Sequence, residues 1–252
     1  MIAALIRTTL WVATIDALAG AALLGFLYTP EANVLMLTLS ALLVLLAVML
    51  LVLGSASASH ALVHDSRPWP SLLPAARRLP LALLAIIVIG VIGAGAGWVE
   101  RWWMGHAGEF DAAAIAAGDI TRTGGVHTAV RWVVAFVQWV VVPAWCATTL
   151  AWIAAYEWRD VLTMKWLTAA FHWRVLGIAT VAVVLLVWAP WQAVYWRPRA
   201  LPASTVEAVF TAVKLGVIYL LTQLAWAALL LTAATRVQRN AEVPSVPGMP
   251  PA

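Results

Sequence analysis

The chain reads STVEAVFTAVKLGVIYLLTQLAWAALLLTAAT from Ser204 to Thr235, and this stretch decides the fold class. From Val209 onward it is almost wholly apolar, and it is long enough to cross a hydrocarbon layer about 30 Å thick. Lys214 lies inside the apolar run. Because a charge at membrane depth costs on the order of 2.5–3.5 kcal/mol on insertion, such a residue is expected to have a partner.

Composition extends the membrane assignment to the whole chain. Of the 252 residues, 64% are hydrophobic and 10% are charged, and the mean hydropathy is +0.93. Soluble domains carry about 25% charged residues, so this chain is not an ordinary soluble domain. The single Cys146 excludes an intrachain disulfide. The basic residues mostly flank apolar segments, so we expect no nucleic-acid partner.

Recurrent apolar segments predict an all-α integral membrane protein, a six-helix transmembrane bundle. The segments lack the alternation of barrel strands, and a spanning helix satisfies its own backbone. Asp16 interrupts the first segment and no small-residue cleavage site follows, so we predict a retained helix. The predicted spans are 4–28, 33–55, 79–99, 129–155, 173–195 and 205–235, in one transmembrane domain over 1–236 with a Pro-rich mobile tail over 237–252.

The distribution of basic residues predicts the orientation. The side of the two termini holds Arg7, Arg67, Arg77, Arg78, Arg159, Lys165, Arg174, Arg236 and Arg239. The other side holds fewer, so the positive-inside rule places both termini in the cytoplasm. We expect a plasma-type membrane, such as a bacterial inner membrane. The loops 157–172 and 66–79 on the cytoplasmic side are predicted as interfacial amphipathic helices, the second one broken by prolines.

The sixteen tryptophans are more than packing requires. Indole is apolar with one donor, so it favours the headgroup layer. The side chains predicted as interfacial anchors in contact with membrane lipids are Trp98, Trp102, Trp103, Trp158, Trp166, Trp191 and Trp196.

Asp16 and Lys214 are the two ionisable residues deepest in apolar runs. Counted from the predicted helix starts, both come near mid-membrane, so we predict that the first and last helices meet around this charge pair. One interpretation is a structural clamp that fixes the register of two helices. The other is a proton- or ion-coupling site of a transporter.

Histidines supply two weaker candidates. His60 and His64 lie on one helical face, and His172 at the end of the next cytoplasmic loop would complete a metal site. On the other side of the membrane, His106, His127 and Glu109 could bind a cation within a glycine-rich loop. The alternative is that these are interfacial or solvated histidines without metal, and we expect no cofactor.

The sequence contains no nucleotide-binding glycine loop, nucleophile elbow or zinc-protease motif. We therefore expect a non-enzymatic multi-pass membrane protein, an accessory or scaffold subunit of a larger complex whose partners are lipids and other membrane subunits. The alternative is a small secondary transporter or permease component that uses Asp16 and Lys214 as a coupling pair. A third option is a metal- or lipid-processing enzyme that uses His60, His64 and His172.

Overall fold

The structure, a computed structural model, describes residues 1–30, 33–116, 123–156, 165–194 and 204–242. Every regular element within these ranges is helical. Six of the helical segments are long and apolar enough to cross a membrane, which confirms the predicted fold class.

The first three spans are single helices. They are α1 (Ile2–Tyr28), α2 (Val34–Val63) and α4 (Leu79–Gly105), with the short α3 (Leu72–Arg77) before α4 and α5 (Ala107–Ala116) after it. The fourth span consists of α6 (Thr123–Phe136), a π-helical segment (Val137–Val141) and α7 (Val142–Ala155). The short α8 (Lys165–Ala170) follows, and the fifth span consists of α9 (Trp173–Ala182), a second π-helical segment (Val183–Trp188) and α10 (Ala189–Val194). The last span is α11 (Ser204–Glu242).

Three spans continue past their predicted last residues, and the fourth begins at Thr123, before its predicted start at 129. Helix α2 ends at Val63, α4 at Gly105 and α11 at Glu242, so helix occupies the start of the predicted tail. Hydropathy reports where the apolar run stops, whereas the helix continues through polar residues that keep their intrahelical hydrogen bonds. Of the predicted interfacial helices, the loop 66–79 is helical only over α3. The loop 157–172 is helical over α8, and its residues 157–164 lie outside the described residues.

Each π-helical segment ends two residues before a proline, Pro143 in α7 and Pro190 in α10. Proline has no backbone N–H and its ring clashes with the carbonyl four residues earlier. Widening the helix before the ring is one way for the backbone to avoid that clash without ending the span.

The last third of α2 lies at the centre of the bundle. Six consecutive small residues, Gly54–Ser59, are all buried, because α2 packs here against α1, α7 and α11. The end of the bundle where α1 begins and α2, α7 and α11 finish is called the Met1 end below. The other end, where α4 and α10 finish and α11 begins, is called the Gly105 end.

Candidate functional site

Asp16 lies halfway along α1, at the contact between α1 and α11. The side chain of Gln223, which is 6% exposed, lies next to its carboxylate. One turn earlier on α11, the Tyr219 hydroxyl donates to the Ala13 carbonyl of α1. The acidic residue of the predicted pair therefore belongs to a polar cluster that joins the first and last helices.

Lys214 lies nearer the Gly105 end. Its ammonium group donates to the Val194 carbonyl at 3.1 Å and lies 4.6 Å from the centre of the Phe210 ring. Val194 is the last residue of the fifth span that the structure describes, and the partial negative charge of its carbonyl oxygen favours a cation. A cation at this position stabilises the end of the fifth span.

The structure thus gives Asp16 and Lys214 different partners. Lys214 precedes Gln223, the partner of Asp16, by nine residues on α11, which is about 13 Å along the helix axis. A direct pairing of the two charges stays a prediction, and these contacts favour two separate positions along the bundle. The first and last helices do meet near Asp16, where Tyr219 of α11 donates to the Ala13 carbonyl of α1.

Two histidines of the predicted metal site, His60 and His64, interact with other protein groups. The rings of His60 and His64 are 4.4 Å apart, and Nε2 of His64 donates to the Ala154 carbonyl at 3.1 Å. Nδ1 of His60 lies 3.3 Å from the Ser71 hydroxyl. Within the described residues no three His, Cys, Asp or Glu side chains form a metal-binding group, and the site with His172 stays a prediction.

His64 is part of a larger arrangement that caps helices at the Met1 end. The guanidinium of Arg78 donates to the carbonyls of Ile153, Ala154 and Tyr156 at the end of α7. The Gln238 amide donates to the Leu62 and Val63 carbonyls at the end of α2, at 3.2 and 2.7 Å. These side chains satisfy carbonyls that a helix end leaves without partners, and they connect α2, α4, α7 and α11.

At the Gly105 end, α4, α5 and α6 meet at His127. The Trp103 indole donates to Nδ1 of His127 at 2.9 Å, and Nε2 of the same ring lies 2.8 Å from the Asp111 carboxylate. Because Nδ1 accepts, Nε2 carries the proton and donates to Asp111. His106 instead contacts the carbonyl and the ring of Trp102. The arrangement joins three helices, and the two histidines do not converge on a metal-binding group among the described residues.

The tryptophans predicted as anchors divide into three groups. Trp98, Trp102 and Trp191 expose 61%, 46% and 47% of their surface, as an interfacial position requires. Trp103 is half-buried and bonded to His127. The remaining three, whose side chains lie outside the described part, are Trp158, Trp166 and Trp196.

Two features were missed by reasoning from the sequence. One is the run of small residues Gly54–Ser59, whose alternating serines and alanines inside an apolar span signal close helix packing. The other is a cavity of about 350 Å³ between α1, α9 and α11, which His172 lines together with arginines. No sequence pattern predicts the cavity, because its residues come from three separate helices.

Comparisons with known proteins give no further guidance. No protein-family model, no curated protein and no solved structure matches this chain.

Proposed function

We propose that this multi-pass membrane protein is a non-enzymatic accessory or scaffold subunit of a larger membrane complex. Its Met1 end lies on the cytoplasmic side of a plasma-type membrane. The observation that carries the proposal is the use of polar side chains inside the bundle. The Trp11 indole donates to Ser57, and the Trp226 indole donates to Ser55, at 3.0 Å in both cases. These groups hold α1 and α11 against α2.

The contact between α4 and the fourth span follows the same pattern. The Gln138 amide donates to the Gly93 carbonyl at 3.2 Å. A Cβ atom added to Gly97 would lie 2.7 Å from the same amide, so the absence of a side chain there makes room for it. Polar groups that fix helix positions in this way give a rigid frame, which is what a scaffold needs.

The exposed surface of α4 is suited to contact with a helix of a partner subunit. Gly90 and Ala94 lie one turn apart on α4 and are both exposed, and a Cβ added to Gly90 would have open space around it. Exposed small residues allow a second helix to approach closely. The exposed surface of α2 instead carries large residues such as Leu45, which suit lipid chains.

The proposal is tested by purification from native membranes in mild detergent. We expect a partner subunit at constant stoichiometry, released by Gly90→Trp and retained by the control Leu45→Trp, since both positions are exposed. A chain that purifies alone at native expression would contradict the scaffold function, and a partner that Gly90→Trp does not release would contradict docking on α4.

The second candidate is a small secondary transporter or permease component. It is favoured by the polar cluster at Asp16, Gln223 and Tyr219, since carboxylates inside membrane spans are typical of proton and ion pathways. In this case Asp16 is the coupling residue and Lys214 controls the position of the fifth span at the Gly105 end.

Proteoliposome flux distinguishes the two functions. If the chain is a transporter, Asp16→Asn abolishes proton-linked uptake while the protein remains folded, and Lys214→Met does so too. If it is a scaffold, neither substitution changes proton flux beyond that of empty liposomes, and both alter only stability.

A further inference from the structure

The cavity of about 350 Å³ at the Met1 end has an apolar wall and a cationic rim. Its wall includes Leu5 of α1, Val175 and Ile178 of α9, and Leu231 of α11. Its rim holds three arginines, which are Arg174 at the start of α9 and Arg236 and Arg239 near the end of α11. On α9 and α11 the arginines lie nearer the Met1 end than Ile178 and Leu231 do, because α9 begins and α11 finishes there.

The rim is positive without compensation from the residues that line the cavity. Within the described part of the chain no acidic side chain is among them. Nε of Arg236 is buried and has no hydrogen-bond partner among the described residues. The guanidinium groups that line the cavity are charged hydrogen-bond donors and cannot accept, so the site favours an occupant that brings oxygen atoms.

His172 adds a further donor to the rim. Its Nδ1 accepts from the backbone N–H of Arg174 at 3.3 Å, so in the neutral ring Nε2 carries the proton and is able to donate. The first turn of α9 begins directly after this residue, and its N-terminal end contributes partial positive charge.

We propose that this cavity binds an anionic phospholipid of the adjacent leaflet, with the phosphate between Arg174, Arg236 and His172 and an acyl chain along the apolar wall. Basic pockets between membrane helices bind anionic headgroups in this way. A free phosphate ion would use the rim alone and would leave Leu5, Ile178 and Leu231 uncovered. Trp173, beside the rim and 72% exposed, marks the headgroup level.

Two further observations favour a lipid over a protein segment. The guanidinium of Arg174 lies 5.1 Å from the centre of the Trp173 ring, which holds the cation at the membrane surface. Ile178 is 41% exposed, so the apolar wall is reached from the side of the bundle, where acyl chains lie. The binding does not depend on whether the chain is a scaffold or a transporter.

The test uses the delipidated full chain in an uncharged detergent, titrated with phosphatidylglycerol, phosphatidylcholine or inorganic phosphate. Native mass spectrometry counts the bound lipid, and the shift in melting temperature measures its affinity. Phosphatidylglycerol is expected to bind and stabilise more strongly than phosphatidylcholine. Arg236→Gln and Arg174→Gln should each weaken its binding roughly fivefold, because each removes one charge near the membrane surface.

Two variants separate a lipid site from general charge attraction. Arg77→Gln removes an exposed cation at the same end outside the cavity and should leave binding unchanged. Ile178→Trp keeps every charge but obstructs the apolar wall, so it should abolish the preference for phosphatidylglycerol. The proposal is overturned if the two lipids bind equally, if Arg77→Gln weakens binding as much as Arg236→Gln, or if inorganic phosphate stabilises as much as phosphatidylglycerol.

Discussion

The two halves of α2 have different surroundings. In the half toward the Gly105 end, Leu37, Leu42 and Leu45 expose 56%, 56% and 53% of their surface. In the half toward the Met1 end, Ser57 and Ser59 are 0% exposed. The serines and alanines are thus enclosed by protein, while the leucines face outward, where lipid chains surround a membrane helix.

This difference shows what holds a membrane bundle together. Because lipid chains are as apolar as leucine, burying leucine against another helix gains little over leaving it in lipid. Close backbone approach and hydrogen bonds are available only where residues are small or polar. The Met1 end has both, in the run Gly54–Ser59 and in the caps provided by Arg78 and Gln238. We therefore expect stability to depend on the Met1 half.

The largest effect is expected from Arg78→Met. It leaves the carbonyls of Ile153, Ala154 and Tyr156 without their charged donor, and hydrogen bonds to charged groups contribute about 1.5–3 kcal/mol. The free energy of unfolding in detergent should fall by roughly 3 kcal/mol. Arg77→Met, at the exposed neighbouring position, is the control and should change little. Equal effects of the two substitutions would mean that Arg78 does not cap α7.

The next effect is expected from Gly54→Ala. A Cβ atom at this position would lie 2.6 Å from Cγ2 and 3.0 Å from Cβ of Ile15, so α1 must shift to admit it. Overpacking of this kind costs about 1–3 kcal/mol. The control is Gly20→Ala in α1, where an added Cβ meets nothing within 4 Å. If thermal unfolding showed no difference between these variants, the close contact of α1 with α2 would be wrong.

The sequence predicted the six spans because a hydrocarbon layer requires about 20 apolar residues, and that requirement is local. It did not predict how far the helices continue. Gln238 lies beyond the predicted end of α11, yet its amide caps α2. Whether a polar residue after a span continues the helix depends on such a partner from elsewhere in the chain.

The candidate site was predicted only in part. Hydropathy identified Asp16 and Lys214 as unusual, but a count of residues from each helix start does not show how far one helix is displaced along the other. One partner of Lys214 is the backbone carbonyl of Val194, and a carbonyl has no sequence signature. Gln223, which lies next to Asp16, is recognisable in the sequence as a polar residue of the last span. The sequence does not show which face of α11 it occupies.

A smaller effect is expected from serine substitutions that compare the two halves of α2 directly. Ser55→Ala removes the acceptor of the Trp226 indole, and hydrogen bonds between membrane helices average about 0.6 kcal/mol. Ser40, in the other half, is buried with no partner for its hydroxyl among the described residues. Ser40→Ala should therefore be neutral or slightly stabilising. Unfolding in detergent measures the stability of both variants. A greater loss of stability in Ser40→Ala than in Ser55→Ala would contradict the conclusion that stability depends on the Met1 half.

The smallest effect is expected from the pH dependence of His172, which faces Arg174, Arg236 and Arg239 at the Met1 end. Desolvation, and then the charges of Arg236 and Arg174, hold the pKa of His172 below its ordinary value of about 6.5. As pH falls through that value, the unfolded chain takes up a proton that the folded chain resists, so stability decreases.

In His172→Gln this contribution to the pH dependence is absent, so the melting temperature should fall less between pH 7 and pH 5 than in the unsubstituted protein. The effect is confined to the Met1 end, because the charges responsible all lie there. A bound anion should oppose it, since a phosphate beside the ring favours the protonated form. If the melting temperature of the substituted protein fell as steeply as that of the unsubstituted one, the arginines would not influence His172.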